Sequence, residues 1–371
     1  MTDNNRLYDP VRRDVIRLAY VGCGFMAQNV HLPNFSSLSE CLLAALAENR
    51  TDLGHKVARR FGVPKVYDDH RRVLDDAEID AVALSADYAQ QGEIAADLLK
   101  AGKHVFMEKP MAVSVAQAER MLASAQQGNA RLMVAYMKRY DPGNRIVRRV
   151  IRQWKEEKAK GRLFFARSHG FCGNWIAELD TTRMIHTNEP IHPTSADSLL
   201  PQWLPATYRN SYLSYLQQYT HNVNLLRFLL DIDHRDQVQV HKVDLDDDGY
   251  SGTVTLQLDG TRCVIESGRT NFHSWDEHTQ VYFEGGWIRT WPKGLFVQPQ
   301  YSEVEIYEGG EPAGYQYPVP QPASVWHYRE EAVHFLSCLK TGIPFESSGE
   351  DALLDVTIFE EIYKKHISAE I

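Results

Sequence analysis

Gly22-Cys23-Gly24-Phe25-Met26-Ala27 follows directly on an apolar run that begins at Val15. This G-x-G-x-x-A pattern, placed between a predicted strand and a predicted helix, is typical of a loop that binds the pyrophosphate of a dinucleotide. Gly22 permits a tight turn, Gly24 lets the backbone approach the anion, and Ala27 keeps the helix close to the strand. The N–H groups at the start of that helix face the anion. The residues predicted to contact the dinucleotide here are Gly22, Gly24, Phe25, Met26 and Ala27.

Short apolar runs alternate with amphipathic segments from Val15 to about Tyr140, a pattern typical of βαβ units around a parallel sheet. The predicted strands are Val15–Gly22, Cys41–Ala47, Lys65–Tyr67, Ile79–Ser85, His104–Met107 and Arg131–Tyr136. Asp52–Phe61 and Gln90–Ala101 are the clearest helices between them. The glycines expected to end helices in a left-handed conformation are Gly62, Gly102 and Gly128. The pattern predicts a doubly wound, Rossmann-type α/β domain over residues 15–141.

The pattern of apolar residues changes after Asp141-Pro142-Gly143. A predicted helix, Asn144–Lys160, leads into runs of period-two alternation that indicate a mostly antiparallel sheet with one buried face. The predicted strands are Leu163–His169, Gln237–Val243, Gly252–Leu258, Arg262–Glu266, Thr279–Phe283 and Trp287–Trp291. Helices at Ser324–Leu339 and Gly349–His366 follow, and the second of these is expected to pack back on the first domain. Residues 142–371 are therefore predicted to form an α+β domain for substrate binding and oligomerisation, and residues 1–14 a loose arm.

Composition excludes several classes of protein. At about 150 residues per domain, 371 residues suggest two domains, and 43% hydrophobic with 24% charged residues is the balance of a globular protein. A formal net charge of −9 disfavours nucleic acid and anionic membrane surfaces as partners. No apolar run approaches the roughly 20 residues needed to span a bilayer, and no secretory signal is visible, so a cytoplasmic location is expected. The five cysteines are scattered and are expected to be reduced.

Glu48 ends the second apolar run, 21 residues after Ala27. A carboxylate at this position typically accepts hydrogen bonds from the adenosine ribose hydroxyls and repels a 2′-phosphate. NAD is therefore the expected cofactor. NADP stays open as an alternative, because Arg50, beyond Asn49, could bind the 2′-phosphate if Glu48 turned aside.

The segment 101–110, AGKHVFMEKP, resembles the "AGKHVxxEKP" segment of the Gfo/Idh/MocA family, which includes glucose-fructose oxidoreductases and inositol dehydrogenases. His31-Leu32-Pro33 after the glycine loop and Arg139-Tyr140-Asp141-Pro142 after the last strand extend the resemblance over the whole first domain. The resemblance implies that Lys109 lies beside the nicotinamide, next to Glu108, and hydrogen-bonds the reacting oxygen of the substrate. An ammonium there stabilises alkoxide character as hydride leaves the neighbouring carbon.

The same resemblance implies an acid/base histidine within a D-x-G-x-H-x-x-D motif, and His221 is the matching residue. An imidazole, with an ordinary pKa of about 6.5, can exchange the proton of an alcohol near neutral pH. The two aspartates of the motif are replaced by Gln217 and Asn224. Gln217, one helical turn before the histidine, is expected to bond His221 or a sugar hydroxyl, and Asn222 and Arg139 are further expected substrate contacts.

The family's T-P-N-x-x-H segment corresponds to residues 85–90, SADYAQ, which lacks the proline and the histidine. The segment still provides a polar loop after the fourth predicted strand. The residues in it that are expected near the nicotinamide are Ser85, Ala86, Asp87 and Gln90.

Two further segments resemble binding motifs in part. The first matches the start of a calcium-binding loop at Asp244, Asp246, Asp248 and Gly249. Thr255 stands where such a loop needs a bidentate glutamate, so a hairpin turn is predicted. The long stretch Phe171–Leu204 is predicted to be a substrate lid, an ordered Ω-like excursion or a contact with another subunit. Trp175 and His192 within it are expected substrate contacts, whereas His186 and His192 lack the partners of a zinc site, and no metal is expected.

The favoured function is an NAD(P)-dependent oxidoreductase that moves hydride between nicotinamide and a secondary alcohol or ketone of a sugar, inositol or related polyol. One alternative is a glycosidase or epimerase that retains NAD and recycles the hydride within each turnover. The other is a regulatory protein that senses nucleotide without catalysis, an alternative favoured by the loss of both motif aspartates. A homodimer or homotetramer is expected from the family analogy.

Overall fold

Two separate sheets organise the chain. The structure is a computed structural model that describes residues 10–11, 14–174, 176, 180–190, 195–271, 275–293, 296, 301–320 and 325–369. It divides into unit 1, Met1–Ala135 with Thr181–Pro201 and Tyr328–Val356, and unit 2, Tyr136–Asp180 with Gln202–His327 and Thr357–Ile371. Unlike the predicted boundary after residue 141, this division is discontinuous in sequence, because two later segments pack with the first 135 residues.

Unit 1 contains a six-stranded sheet whose strands are all parallel, in the order β3-β2-β1-β4-β5-β6. The strands are β1 Ile16–Val21, β2 Cys41–Ala47, β3 Lys65–Tyr67, β4 Ala81–Leu84, β5 His104–Glu108 and β6 Leu132–Ala135. All of these strands except the edge strand β3 are largely buried, because helices cover both faces of such a sheet, and this explains their continuous apolar sequences. The strand order reverses between β1 and β4, so the carboxyl ends of these two strands flank the crevice where doubly wound folds bind ligands.

The two helices predicted in this unit, Asp52–Phe61 and Gln90–Ala101, each begin and end within two residues of an observed helix. A wide helical turn, Ala27–His31, leads into α1 Leu32–Ser36, and the others are α2 Thr51–Phe61, α3 Arg71–Leu74, α4 Tyr88–Lys100 and α5 Val115–Gln127. Ser114 caps α5 by accepting a hydrogen bond from the Gln117 N–H. The predicted loose arm is partly fixed, because the Val11 N–H donates to the Leu339 carbonyl.

The glycines after the helices do not all serve the same purpose. Gly62 and Gly102 have φ values of 68° and 82° and end helices in the left-handed conformation, as predicted. The prediction was wrong for Gly128, whose φ is −82°, and the left-handed residue is Asn129. A Cβ at Gly128 would lie 1.9 Å from the carbonyl oxygen of Leu99. Glycine is required there by a close approach of two chain segments rather than by its own dihedral angles.

Unit 2 contains an eight-stranded sheet in the order β14-β13-β12-β11-β7-β10-β9-β8. The strands are β7 Leu163–Cys172, β8 Val238–Leu245, β9 Gly252–Leu258, β10 Thr261–Arg269, β11 Asp276–Phe283, β12 Gly286–Trp291, β13 Glu303–Glu308 and β14 Gly314–Gln316. All neighbouring strands are antiparallel except β7 and β10, which are parallel. The mostly antiparallel sheet is therefore confirmed, whereas β13 and β14 were not predicted.

Two helices, α6 Pro142–Glu157 and α7 Arg209–Leu230, pack against this sheet. Asp141 caps α6 by accepting from the Asn144 N–H, with a proline at the first helical position. The final helices are α8 His327–Thr341 and α9 Gly349–Ala369, and α9 begins in unit 1 and ends in unit 2. The aspartate-rich segment is the β8–β9 hairpin turn, where Asp248 accepts from the N–H groups of Tyr250 and Ser251. Among the described residues, no helix has both the length and the apolarity to cross a membrane.

The contrast between Gly128 and Gly62 gives a test of these two glycine roles. Gly62→Ala places a Cβ in open space and costs only the left-handed strain, about 1 kcal/mol. Gly128→Ala forces Leu99 to move, so we expect a clearly larger fall in melting temperature, measured by differential scanning fluorimetry. Equal falls for the two variants would contradict the assigned role of Gly128.

Candidate functional site

The glycine loop lies at the carboxyl ends of the parallel strands, beside the loop that follows β4. Gly22 has a φ of 90°, and a Cβ on it would lie 2.1 Å from the carbonyl oxygen of Ser85. The Ser85 N–H donates to the Val21 carbonyl, so the ends of β1 and β4 are held together. A Cβ on Gly24, in contrast, would meet no atom within 4 Å. Gly24 therefore leaves open the space in which a pyrophosphate would approach the backbone, and this fits a dinucleotide site.

Glu48 stands immediately after β2, as predicted, but its carboxylate is fully engaged. Oε2 accepts from the Cys23 N–H at 2.7 Å and from Arg50 Nη2 at 3.0 Å, and Oε1 accepts from the backbone N–H and Nε of Arg50 at 3.0 and 2.7 Å. These four bonds use all the acceptor positions of a carboxylate. Ribose hydroxyls can bond Glu48 only if the Arg50 side chain, which is about 20% exposed, moves away.

A second carboxylate lies next to this pair, on a segment that no pattern in the sequence places here. Glu189 accepts from the N–H groups of Asp52 and Leu53, both at 3.1 Å, and from the Thr187 hydroxyl at 3.0 Å. These bonds to the first turn of α2 hold the pKa of Glu189 below its usual value. Hydrogen bonding to Glu48 raises the pKa of Arg50, and the charge of Glu189 raises it further.

Residues 181–190, called the strap below, are fixed at a second point. The Gln28 side chain accepts from the Ile185 N–H at 2.8 Å and donates to its carbonyl at 3.0 Å, as a paired strand would. Because Gln28 follows the glycine loop and Glu189 bonds α2, the strap lies beside the predicted adenosine end of the site. A cleft of about 430 Å³ lies between the strap and α2. It is lined by Asp52, Lys56, His186, Thr187, Asn188 and Glu189.

The predicted nicotinamide end is formed by the loops after β4 and β5. The Ser85 hydroxyl accepts from the buried Tyr20 hydroxyl at 2.8 Å, and the Gln91 side chain bonds the Ala86 N–H at 3.4 Å and the Glu108 carbonyl at 2.6 Å. Gln91 thereby joins the two loops. Asp87 and Gln90 belong to the start of α4, where the Asp87 carbonyl accepts from the Gln90 N–H.

Glu108 acts on Lys109 through the backbone. Its Oε1 lies 2.8 Å from Nε2 of the buried His31, and its Oε2 accepts from the Lys109 N–H at 3.1 Å. These bonds tie the Glu108 side chain to the Lys109 backbone, and the predicted contact of Glu108 with the cofactor stays a prediction. The His31-Leu32-Pro33 segment reaches Glu108 through this contact of His31.

In unit 2, α7 carries the other predicted residues. His221 is 6% exposed, whereas Gln217, one turn earlier, is exposed. Asn222 is buried and donates to the Ser168 hydroxyl on β7 at 2.9 Å. Asn224 accepts from Arg139 Nε at 2.7 Å. Arg139 is therefore tied to the residue that replaces the second motif aspartate, and its predicted contact with a substrate stays a prediction.

A buried ion pair between Lys138 and Glu277 was missed in the sequence. Glu277 lies on β11 and also accepts a long bond, 3.4 Å, from Asn222. Both side chains are less than a tenth exposed. Only the position of Lys138, next to Arg139 in the recognised segment, could have suggested it. Glu277 therefore places a carboxylate beside Asn222 on α7.

Some predicted residues remain without a structural account. Trp175 and His192 lie outside the described residues. Trp203, from the same stretch, belongs to unit 2, where its indole N–H donates to Glu360 at 3.2 Å. Lys109 lies in unit 1 and His221 in unit 2, and each is described within its own unit. Asn49 is exposed, and Phe25 and Met26 are half-buried beside the glycine loop.

Comparison with known proteins supports a nucleotide-binding role for unit 1. The Gfo/Idh/MocA family model, described as "Oxidoreductase family, NAD-binding Rossmann fold", matches residues 16–136. The chain is similar to myo-inositol 2-dehydrogenase of Thermotoga maritima, with 27% identity over 126 residues, and to levoglucosan dehydrogenase of Pseudarthrobacter phenanthrenivorans, with 31% over 133 residues. These alignments cover 34% and 36% of this chain but only 37% and 33% of the relatives.

Solved structures resemble the chain over most of its length. Aldose-aldose oxidoreductase from Caulobacter crescentus, complexed with glycerol, aligns with a TM-score of 0.70 and 19% identity over 96% of this chain and 98% of that one. A 3-ketoreductase from Actinomadura kijaniata, in complex with TDP-benzene and NADP, also aligns with a TM-score of 0.70, at 18% identity over 95% and 98% of the two chains. At these identities the likeness concerns the fold.

The open space at Gly24 allows a test of the dinucleotide site. Gly24→Val fills the cradle without meeting chain atoms at its Cβ, so we expect unchanged melting temperature but at least roughly tenfold weaker NAD binding by calorimetry. Gly314→Val, on the exposed strand β14 of the second sheet, also places its Cβ in open space and is not in the left-handed region; it is the control and should leave NAD binding unchanged. Unimpaired binding in Gly24→Val would contradict the placement of the pyrophosphate.

Proposed function

We propose that the chain, whose residues 16–136 match the Gfo/Idh/MocA family model, is an NAD-dependent dehydrogenase of a sugar, inositol or related polyol. The observation that carries the proposal is the order of residues along one sheet edge. Glu48, Gly22, Ser85 and Lys109 follow strands β2, β1, β4 and β5, which are consecutive neighbours in the sheet. Parallel strands present their carboxyl ends at a common edge, and ligands of doubly wound folds bind there.

A nicotinamide dinucleotide held at this edge would supply hydride transfer to and from a carbinol carbon of the substrate. The glycine loop holds the pyrophosphate, and Ser85 to Gln90 border the nicotinamide end. The Lys109 ammonium donates a hydrogen bond to the reacting oxygen and stabilises its negative charge. Glu108, held by His31, restrains the backbone from which Lys109 projects. His221 takes the hydroxyl proton during oxidation and returns it during reduction.

Gln217, Asn222 and the Lys138–Glu277 pair are proposed to select the substrate in unit 2. The buried pair is neutral overall, and Asn222 joins it to Ser168. Such a set of fixed donors and acceptors suits hydroxyl groups, which both donate and accept hydrogen bonds. It provides no surplus positive charge for a phosphate, which favours an uncharged sugar or cyclitol.

We expect Lys109→Ala and His221→Asn each to lower kcat by at least roughly 100-fold, because each removes a group that transfers a proton or stabilises charge. The measurement follows reduced nicotinamide with NAD and a panel of sugars, inositols and sugar acids. Lys100→Ala and His55→Ala, exposed residues of α4 and α2, are matched controls. Full activity in both site variants would contradict the roles proposed for Lys109 and His221.

The same assay separates the two alternative functions. Product formation without net reduced nicotinamide would support a glycosidase or epimerase that recycles its hydride internally. NAD binding without turnover on any member of the panel would support a nucleotide sensor. Either result would contradict the dehydrogenase proposal.

We also propose that the chain prefers NAD to NADP because Glu189 places a carboxylate at the start of α2, close to Arg50. A 2′-phosphate would have to displace it or lie beside it, and like charges repel. We expect Glu189→Gln to improve NADP affinity relative to NAD affinity roughly tenfold, measured by calorimetry. Glu119→Gln, the same change on exposed α5, is the control. An unchanged ratio, or tighter NADP than NAD binding by the unaltered protein, would overturn this preference.

A further inference from the structure

Two histidines and an aspartate meet on the face of the second sheet that points away from α7. His169 on β7 lies directly opposite His278 on β11, and Asp276 precedes His278 by two residues, which puts it on the same face. Ser168, the neighbour of His169, points to the other face, where it bonds Asn222 on α7. This face has no part in the proposed dinucleotide or substrate contacts.

The potential ligand atoms converge. One nitrogen from each histidine and one carboxylate oxygen of Asp276 all lie within 4.8 Å of one another. The two rings stack with centroids 4.9 Å apart and planes 25° apart, so their edges point in similar directions. In a tetrahedral zinc site with bonds of about 2.0–2.2 Å, neighbouring ligands are about 3.4 Å apart. Asp276, whose side chain is 63% exposed, has the freedom to close that difference.

The second ring nitrogen of His169, Nδ1, contacts a carboxylate that can fix the orientation of the ring. Nδ1 lies 2.9 Å from Oε2 of Glu266, which sits beside His169 on β10, and Nε2 lies 3.2 Å from Oδ2 of Asp276. Arg167 fixes Glu266 through a 2.5 Å hydrogen bond. A histidine that binds a metal through one nitrogen typically donates its other N–H to a carboxylate, which fixes the tautomer and the ring orientation. Glu266 holds that position.

We propose that His169, His278 and Asp276 bind one divalent transition-metal ion of the zinc type on this sheet, with Glu266 orienting His169. Three protein ligands leave the fourth position of a tetrahedral ion to water. Two imidazoles and one carboxylate suit Zn²⁺ better than Mg²⁺ or Ca²⁺, which prefer all-oxygen sites. The site is separate from the proposed dehydrogenase chemistry and does not depend on it.

The experiment uses the full chain after dialysis against EDTA and then metal-free buffer. Titration with Zn²⁺ in a calorimeter should show one site per chain, and Co²⁺ should give the visible absorption bands of a tetrahedral complex. His278→Ala, His169→Ala and Asp276→Asn should each weaken Zn²⁺ binding at least roughly tenfold, and Glu266→Gln should weaken it by 10–100-fold, roughly, while leaving one site per chain. His241→Ala, an exposed histidine on β8 of the same sheet, should bind Zn²⁺ like the unaltered protein.

NAD affinity, measured on the same samples, should not change in any of these variants. If a histidine variant fails to fold, Asp276→Asn decides the matter, because this exposed side chain can be altered without disturbing the core. Absence of zinc binding by the unaltered chain, or zinc binding that survives both Asp276→Asn and His278→Ala, would overturn the proposal.

Discussion

Everything in unit 1 depends on how closely the ends of β1 and β4 approach each other. The carbonyl oxygen of Ser85 occupies the space that any side chain at position 22 would need, and Gly22 adopts a φ of 90° there. A parallel sheet of this topology has its crevice at this reversal of strand order. The glycine loop, the loop after β4 and Lys109 after β5 can share one edge only because position 22 has no side chain.

Carboxylates at the nucleotide edge are held by the chain itself. Glu48 is bonded by Arg50 and Cys23, and Glu189 by the start of α2, so two negative charges are compensated by one cation and a set of backbone N–H groups. Such an arrangement is stable without a ligand, and a dinucleotide must exchange some of these bonds for its own. In unit 2, the polar side chains are likewise bonded to one another, Arg139 to Asn224 and Lys138 to Glu277.

The local parts of this structure could be predicted from the sequence, and the long-range parts could not. All six strands of the first sheet and the position of Glu48 follow from apolar runs and from spacing along the chain. Gly128 was misinterpreted because its constraint is the Leu99 carbonyl, which no local pattern reveals. Glu189 pairs with residues more than 130 positions away, and Glu277 pairs with Lys138 across a similar separation. Pattern and propensity carry no information about such partners.

The discontinuity of unit 1 has a consequence for how the chain is made. Its last strand, β6, has the Val134 N–H bonded to the Ser347 carbonyl, and the Arg131 side chain bonds the carbonyls of Cys338 and Ile343. These partners emerge from the ribosome more than 200 residues after the strand they complete. The nucleotide-binding unit therefore cannot reach its final packing during synthesis of its own first 135 residues, and a gene fragment that stops there would encode a sheet with an unfinished border.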